Sequence, residues 1–209
     1  MSKPILSGPL LKPGVRAVLL TAKTIGLELE YKESKVEPSE PLKEYSKRKG
    51  ENRHAVLNDG GKVIWGSHAI LAYLISKYGK DDSLYPKDFY KRALVDQMLY
   101  FENGVIEARN RLFFLADPEN PELVDKYRKA LAEAIGYLEK FLEKSDYLAG
   151  DDITIADFSA ATLLSTINIR LPIRSDEYPK LSDWLNRIES LPYYHDVNET
   201  ALKRIMQWS

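Results

Sequence analysis

The rhythm of apolar and polar positions changes along the chain. Up to Tyr78, short strand-like pieces alternate with helical ones. Pro4-Ile5-Leu6-Ser7 is short and apolar, and a turn containing Pro9, Pro13 and Gly14 leads into Val15–Lys23. Val15, Val18, Leu19 and Ala22 there have the spacing of an amphipathic helix. Leu27-Glu28-Leu29-Glu30-Tyr31 alternates with period two, as a half-buried strand does. A charged, proline-bearing stretch from Pro38 to Lys49 follows. His54–Leu57, a turn at Asn58-Asp59-Gly60-Gly61 and Lys62–Trp65 then form the pattern of a hairpin. Gly66-Ser67 opens a helix with Ile70, Leu71, Leu74, Ile75 and Tyr78 on its apolar side.

Strand, helix, strand, helix, strand, strand, helix is the order of a thioredoxin-like α/β domain, an order that several α/β folds share. Gly79 to Asp88, with Gly, Asp, Ser and Pro, has the composition of a linker. Beyond it the pattern is helical throughout. Helices are predicted from Phe89 to about Leu115, Pro121 to about Lys144, Thr154 to Leu171 and Tyr178 to Leu191, with a short last one after Pro192. The expected organisation is a thioredoxin-like domain over residues 1–79, a linker over 80–88 and an all-α domain over 89–209.

Thr154-Ile155-Ala156-Asp157 has the form of a capping box with Asp in place of Glu or Gln. Thr154 accepts from the backbone N–H of Asp157 while the Asp157 carboxylate reaches back to the Thr154 N–H. Ile153 and Phe158 complete a hydrophobic staple. The roles predicted for Thr154 and Asp157 are structural.

Composition narrows the function classes. Thirty basic and 31 acidic side chains leave a net charge of −1, and only Lys47-Arg48-Lys49 is a basic run. Nucleic-acid binding is not expected of such a balance. The chain has no cysteine, which excludes disulfides and thiolate metal sites, and its three histidines are scattered, so no metal is expected. No apolar run approaches the roughly 20 residues of a membrane span, and the start lacks a signal-peptide core. A cytoplasmic protein with no nucleic-acid or membrane partner is the expectation.

Several segments carry a family resemblance. Lys77-Tyr78-Gly79-Lys80-Asp81-Asp82-Ser83-Leu84-Tyr85-Pro86-Lys87, with Lys91-Arg92-Ala93 and Leu99-Tyr100-Phe101, resembles the linker and helix start of insect delta and epsilon glutathione S-transferases. Ser145–Gly150 running into the Thr154–Asp157 box resembles their capping region. Tyr178-Pro179-Lys180-Leu181 with Trp184, and Leu191-Pro192-Tyr193-Tyr194, resemble their last helices. Leu164–Asn168 and Lys3-Pro4-Ile5-Leu6 are similar to the epsilon side, and within it to the noppera-bo branch, linked to steroid-hormone production. The resemblance covers nearly the whole chain. It implies the glutathione S-transferase fold, a homodimer, glutathione against the first domain and a hydrophobic acceptor pocket against the second. In such proteins a hydroxyl near the end of the first strand favours the glutathione thiolate. A cis-proline loop pairs with the tripeptide backbone, and an acidic residue followed by serine at a helix start holds the γ-glutamyl end.

The glutathione side of that pattern is mostly replaced. Where the family has a Ser-Pro-Pro-Val-Arg type segment, this chain has Lys12-Pro13-Gly14-Val15-Arg16, and a long hydrated ammonium is no substitute for a short hydroxyl. Where the family has Asn-Pro-x-His-x-Val-Pro, this chain has Lys49-Gly50-Glu51-Asn52-Arg53-His54-Ala55. Ala55 stands at the cis-proline, and a non-proline cis bond costs about 2.5–4 kcal/mol against roughly 0.5–1 for X-Pro, so a trans bond is expected. The acidic-Ser pair is Gly66-Ser67, which retains only the serine. Asn52, Ala55, Gly66 and Ser67 are thus remnants of a glutathione cleft.

Lys12 and His54 are the candidate catalytic groups for acid–base or imine chemistry, against the plainer reading that both face solvent. The resemblance places the hydrophobic pocket at Phe101, Val105, Arg109, Asn110, Phe113, Phe114, Leu164, Ile167 and Trp208. Glu102, Glu107 and Arg109 are out of keeping with an apolar pocket and suggest a dimer interface or a polar ligand. Three functions stay open: a relative that binds, or acts without glutathione on, a small hydrophobic molecule; a conventional but weak glutathione transferase or peroxidase; and a dimeric scaffold. Glutathione is the one cofactor candidate, and most of the residues that would hold it are replaced.

Overall fold

The structure, a computed structural model, describes residues 3–33 and 55–207. A four-stranded sheet forms from β1 (Ile5–Ser7), β2 (Glu30–Lys32), β3 (Val56–Asp59) and β4 (Lys62–Trp65). Its order is β2-β1-β3-β4, with β1 parallel to β2 and antiparallel to β3, and β3 antiparallel to β4. Helix α1 (Pro13–Thr24) follows β1, and α2 (Ser67–Tyr78) follows β4. This small α/β unit leads into a helical one: α3 (Phe89–Phe101), a π-helical turn (Glu102–Glu107), α4 (Ala108–Phe114), α5 (Pro121–Leu142), α6 (Ile155–Ile167), α7 (Pro179–Glu189) and α8 (Tyr194–Met206). Together they make the glutathione S-transferase fold.

Local chemistry explains the boundaries. The hairpin turn is shorter than predicted, because Asn58 and Asp59 pair with Val63 and Lys62 inside the ladder. Only Gly60 and Gly61 turn, at φ 58° and 87°, the pair of positive values that a two-residue hairpin loop demands. Strand β2 begins three residues later than its alternation suggests. Gly26 takes φ 70° to end α1, and the Leu27 N–H still donates to the Ala22 carbonyl (2.8 Å). The single long helix expected from Phe89 is continuous but carries the π-helical turn in its middle. Asp88 and Asn120 accept from Lys91 N (2.9 Å) and Leu123 N (3.1 Å), capping α3 and α5.

Two buried acids organise the two halves. In the sheet half, Asp59 is almost fully buried, and its Oδ2 accepts from Tyr73 Oη (2.6 Å), Lys77 Nζ (2.5 Å) and Tyr78 Oη (2.7 Å). Donation from Lys77, then from Tyr73, holds the carboxyl at about 2, below its ordinary 3.8. The end of β3 is thereby tied to the last turn of α2. In the helical half the capping box forms, and Asp157 is wholly buried. It accepts from Leu148 N (3.0 Å), Thr154 N (2.8 Å), Thr154 Oγ1 (3.0 Å) and Trp184 Nε1 (2.9 Å). Burial pushes its carboxyl up against the pull of those donors. One side chain therefore caps α6, closes the loop before it and anchors α7.

Because the folded Asp59 titrates below its unfolded value, its contribution is full above about pH 4 and is lost as pH falls through 2. Urea midpoints measured down that range are expected to fall, and Asp59→Asn to flatten that part of the profile. At neutral pH this variant is expected to lose about 1–2 kcal/mol, a low value for donors to a charged acceptor because Lys77 is partly in water. Asp157→Ala leaves the Trp184 and Leu148 donors orphaned as well as removing the cap, and a loss of at least about 3 kcal/mol is expected in the same assay.

Candidate functional site

The ends of α1 and α2 meet at the junction of the two halves. Lys12 is the N-cap residue of α1, and its carbonyl accepts from Val15 N (3.1 Å) and Arg16 N (3.3 Å). Pro13 suits the first helical position, where an N–H has no helical partner. Arg16, one turn on, is wholly buried and fixes this end against α6 and α8. Its Nη1 donates to Asn198 Oδ1 (2.7 Å) and Ser165 Oγ (3.3 Å), and its Nη2 to the Thr162 carbonyl (2.9 Å) and to Thr166 Oγ1. Burial pushes the guanidinium down to about 10, so it stays charged at neutral pH. Thr162 Oγ1 also donates to the Pro13 carbonyl (3.1 Å).

Gly66, at φ 89°, starts α2 and donates its N–H to the Ala55 carbonyl (3.0 Å). A Cβ on Gly14 would lie 2.6 Å from Ser67 Oγ. Glycine at 14 is therefore what lets the two helix starts approach. His68, next on α2, crosses to the helical half: its Nε2 lies 2.8 Å from Glu102 Oε2 and 2.9 Å from Ser159 Oγ. Both contacts fall on one ring nitrogen, unlike a hydrolytic triad, where the acid and the nucleophile take opposite nitrogens. The arrangement is a polar clamp between α2, the π-helical turn and α6.

Two connected clefts open here. The first, about 610 Å³, is walled by Lys12, Gly14, Ala55, Gly66, Ser67 and His68 on one side. Glu102, Glu107, Arg111, Ser159 and Leu163 face them. The second, about 400 Å³, runs between α4 and the ends of α6 and α8, with Leu11, Phe114, Leu115 and Ile205 as apolar walls and Asn110, Thr166 and Arg170 among the polar ones. Lys12, Pro13, Glu107, Arg111 and Leu115 line both. Hydrogen bonds from i to i+5 bring residues five apart onto one side of the helix, so Glu102 and Glu107 both face the first cleft. Burial pushes the Glu107 carboxyl up, and the Glu102 charge adds to this; the Asn110 Nδ2 donor (3.2 Å), Lys12 and Arg111 oppose it.

The structure brings together some of the predicted residues and separates others. Lys12, Ala55, Gly66 and Ser67 line the first cleft, and Asn110 and Phe114 the second. His54, Asn52 and Trp208 lie outside the described residues, and so does the peptide bond that joins His54 to Ala55. Phe101 lines neither cleft: it packs edge-on against Tyr137 and Phe141 of α5, at 6.3 and 5.4 Å between ring centroids. Val105 and Phe113 likewise pack on the core. The Arg109 guanidinium turns back to the Val105 carbonyl (3.3 Å) and lines neither cleft. Leu164 and Ile167 are 0% and 2% exposed within the core, and Leu163 and Thr166 take the cleft-facing places. His68, Arg111, Ser159 and Arg170 were not anticipated; the surplus of charge on the long helix was the one signal, and it bore on Arg111 alone. Among the described residues no group of three metal-ligating side chains converges, and no helix is long and apolar enough to cross a membrane.

Residues 104–192 match a family profile described as glutathione S-transferase, C-terminal domain. Glutathione S-transferase 1 of Manduca sexta is 37% identical over 195 residues, covering 89% of this chain and 88% of the relative. Glutathione S-transferase D7 of Anopheles gambiae is 37% identical over 198 residues, covering 92% and 90%. An epsilon-class glutathione S-transferase from the housefly, Musca domestica, superposes with a TM-score of 0.83 at 41% identity, covering 99% of this chain and 96% of the other. A glutathione transferase homologue from Drosophila mojavensis with bound glutathione gives 0.83 at 40%, with the same coverage. With this fold, these paired helix starts and these relatives along most of its length, the chain belongs to the insect glutathione S-transferase family.

Proposed function

We propose that this protein is a divergent member of its family that binds a small, largely apolar molecule at the junction of its two halves and has lost ordinary glutathione conjugation. The observation that carries this reading is Lys12 at the start of α1, lining both clefts where the family resemblance calls for a thiol-activating hydroxyl. Gly66 supports it twice. It has no carboxylate for an α-ammonium, and its φ of 89° would strain any side chain placed there. The first turn of α2 contains no acid either. Phe114, Leu115, Leu11 and Ile205 provide apolar wall for a ligand, and the second cleft has the volume of a small-molecule site. Lys12 and His54 remain the catalytic candidates of this reading. It includes an epsilon-side placement near the noppera-bo branch, the domain limits 1–79, 80–88 and 89–209, a cytoplasmic location and a homodimer. Phe89, Tyr90 and Tyr100 of α3, 90%, 73% and 79% exposed, are apolar surface for such pairing.

A second reading, a weak conventional transferase, rests on Ser67. Its hydroxyl and the start of α2 still suit a carboxylate, and the D. mojavensis relative holds glutathione.

Retention on immobilised glutathione and turnover of 1-chloro-2,4-dinitrobenzene separate the two. The protein is expected to pass through the column and to show no glutathione-dependent rate, while native mass spectrometry gives the mass of a dimer. Lys12→Ser is expected to bring a glutathione-dependent rate at least about tenfold above the assay's detection limit, equivalent to about 1.4 kcal/mol of transition-state stabilisation or more. Turnover by the unmodified protein at the level of the M. sexta relative would overturn the proposal.

A further inference from the structure

His68 joins the two halves through one ring nitrogen and leaves the other unused. Its Nε2 meets Glu102 Oε2 and Ser159 Oγ, and the Ser159 hydroxyl also donates to that carboxylate oxygen (3.4 Å). Among the described residues, Nδ1 has no hydrogen-bond partner. The ring lines the first cleft; its side chain is 25% exposed, and that of Glu102 is 10% exposed. Which nitrogen of a neutral imidazole carries the proton is set by the hydrogen bonds the ring makes. With a carboxylate at Nε2, the proton is on Nε2 and the basic lone pair on Nδ1.

From this arrangement we infer that His68 is a general base of the first cleft, taking a proton through Nδ1 from a weakly acidic C–H bond of a small molecule. Glu102 is the positioning residue behind it. The inference rests on the reading that this cleft receives a small molecule without glutathione, and it names the chemistry that such a molecule meets. Glu102 fixes the tautomer and the orientation of the ring, and its carboxylate stabilises the imidazolium that forms when the proton is taken. Ser159 is no nucleophile here. Its hydroxyl meets the same nitrogen as Glu102 and donates to that acid, so the group moves a proton and forms no acyl-enzyme. A carbon acid is the fitting substrate class, because isomerisation or elimination completes on one molecule with no co-reactant. Clamp and base are compatible, since each uses its own nitrogen.

Ring opening of 5-nitrobenzisoxazole tests this, because it needs a base and nothing else. The base takes the C3 proton, the C–H electron pair completes a nitrile, and the N–O bond breaks with its pair left on oxygen. The product is 2-cyano-4-nitrophenolate, and the imidazolium returns its proton to water. Without glutathione, the full chain is expected to exceed free imidazole at equal concentration by at least about hundredfold. His68→Gln, whose amide can still donate to Glu102, is expected to lose at least about tenfold in kcat. Glu102→Gln keeps an acceptor for Nε2 without the charge. It is expected to lower kcat about fivefold with KM unchanged, a split that a loosened cleft does not give. Should His68→Gln fail to fold, diethyl pyrocarbonate keeps the test on the unmodified sequence. Peptide mass spectrometry is expected to find His68 carbethoxylated and the rate to fall in proportion. A full rate in His68→Gln or with His68 modified, or binding of the probe without turnover, would overturn the base and leave a binding cleft. Turnover of 1-chloro-2,4-dinitrobenzene with glutathione would overturn the reading beneath it instead.

Discussion

The buried Arg16 side chain sets the geometry on which both clefts depend. It carries its charge into the contact of α1 with α6 and α8 and finds only neutral acceptors there: a carbonyl, two hydroxyls and an amide oxygen. Removing a charge from water without a counter-charge costs several kcal/mol. Charge-assisted hydrogen bonds offset this only when every acceptor is in place. The result is less a source of stability than a geometric requirement. Any shift of α1 by a fraction of a turn breaks several of these bonds at once. Since Lys12 and Pro13 precede Arg16 by one turn or less, the same requirement fixes the edge of both clefts. Thr162 serves the two ends together, through its carbonyl to Arg16 and its hydroxyl to Pro13.

Opposite that fixed edge stands the π-helical turn. Helix α3 reaches it with an apolar side packed on α5 and α6, and α4 leaves it with its own face turned relative to α3. The wider turn lets Glu102 reach His68 and Ser159 while Glu107, five residues on, still faces the cleft. In an ordinary α-helix residues five apart point well away from one another. The turn thus separates two tasks along one helix. Glu102 helps hold the halves together, and Glu107, with Arg111, conditions the space they enclose.

Much of the fold was legible in the sequence because local chemistry dictated it. Pro13, Pro121 and Pro179 start helices, Gly60-Gly61 turns the hairpin, and Thr154–Asp157 closes its box. The site was less so, for two physical reasons. All of α6 is buried, so it lacks the polar face that would reveal its orientation; Leu164 and Ile167 look as fit for a pocket as Leu163 and Thr166. The second reason is the π-helical turn, which has no residue signature and shifts the phase of everything after it. The i, i+4 series Phe101, Val105, Arg109, Phe113 is coherent for an uninterrupted helix, yet its aromatic and aliphatic members pack on the core. Glu107 and Arg111, with Asn110 and Phe114, form the face the clefts use. Arg170 was invisible to any periodicity, since it lies beyond the end of α6 and meets Phe114 only through tertiary packing.

The two helix starts and the space beside them form one electrostatic setting. Neither α1 nor α2 has an acid in its first turn, so the positive ends of two helix dipoles converge on the junction without a neutralising side chain of their own. Lys12 stands at that point, and Gly66 has no side chain to face it. Lys12 lines both clefts, and Arg111 and Arg170 stand across the apolar space of the second. Lys12 and the cleft it shares with Arg111 and Arg170 are thus one electrostatic arrangement, held in register by the buried arginine one turn away.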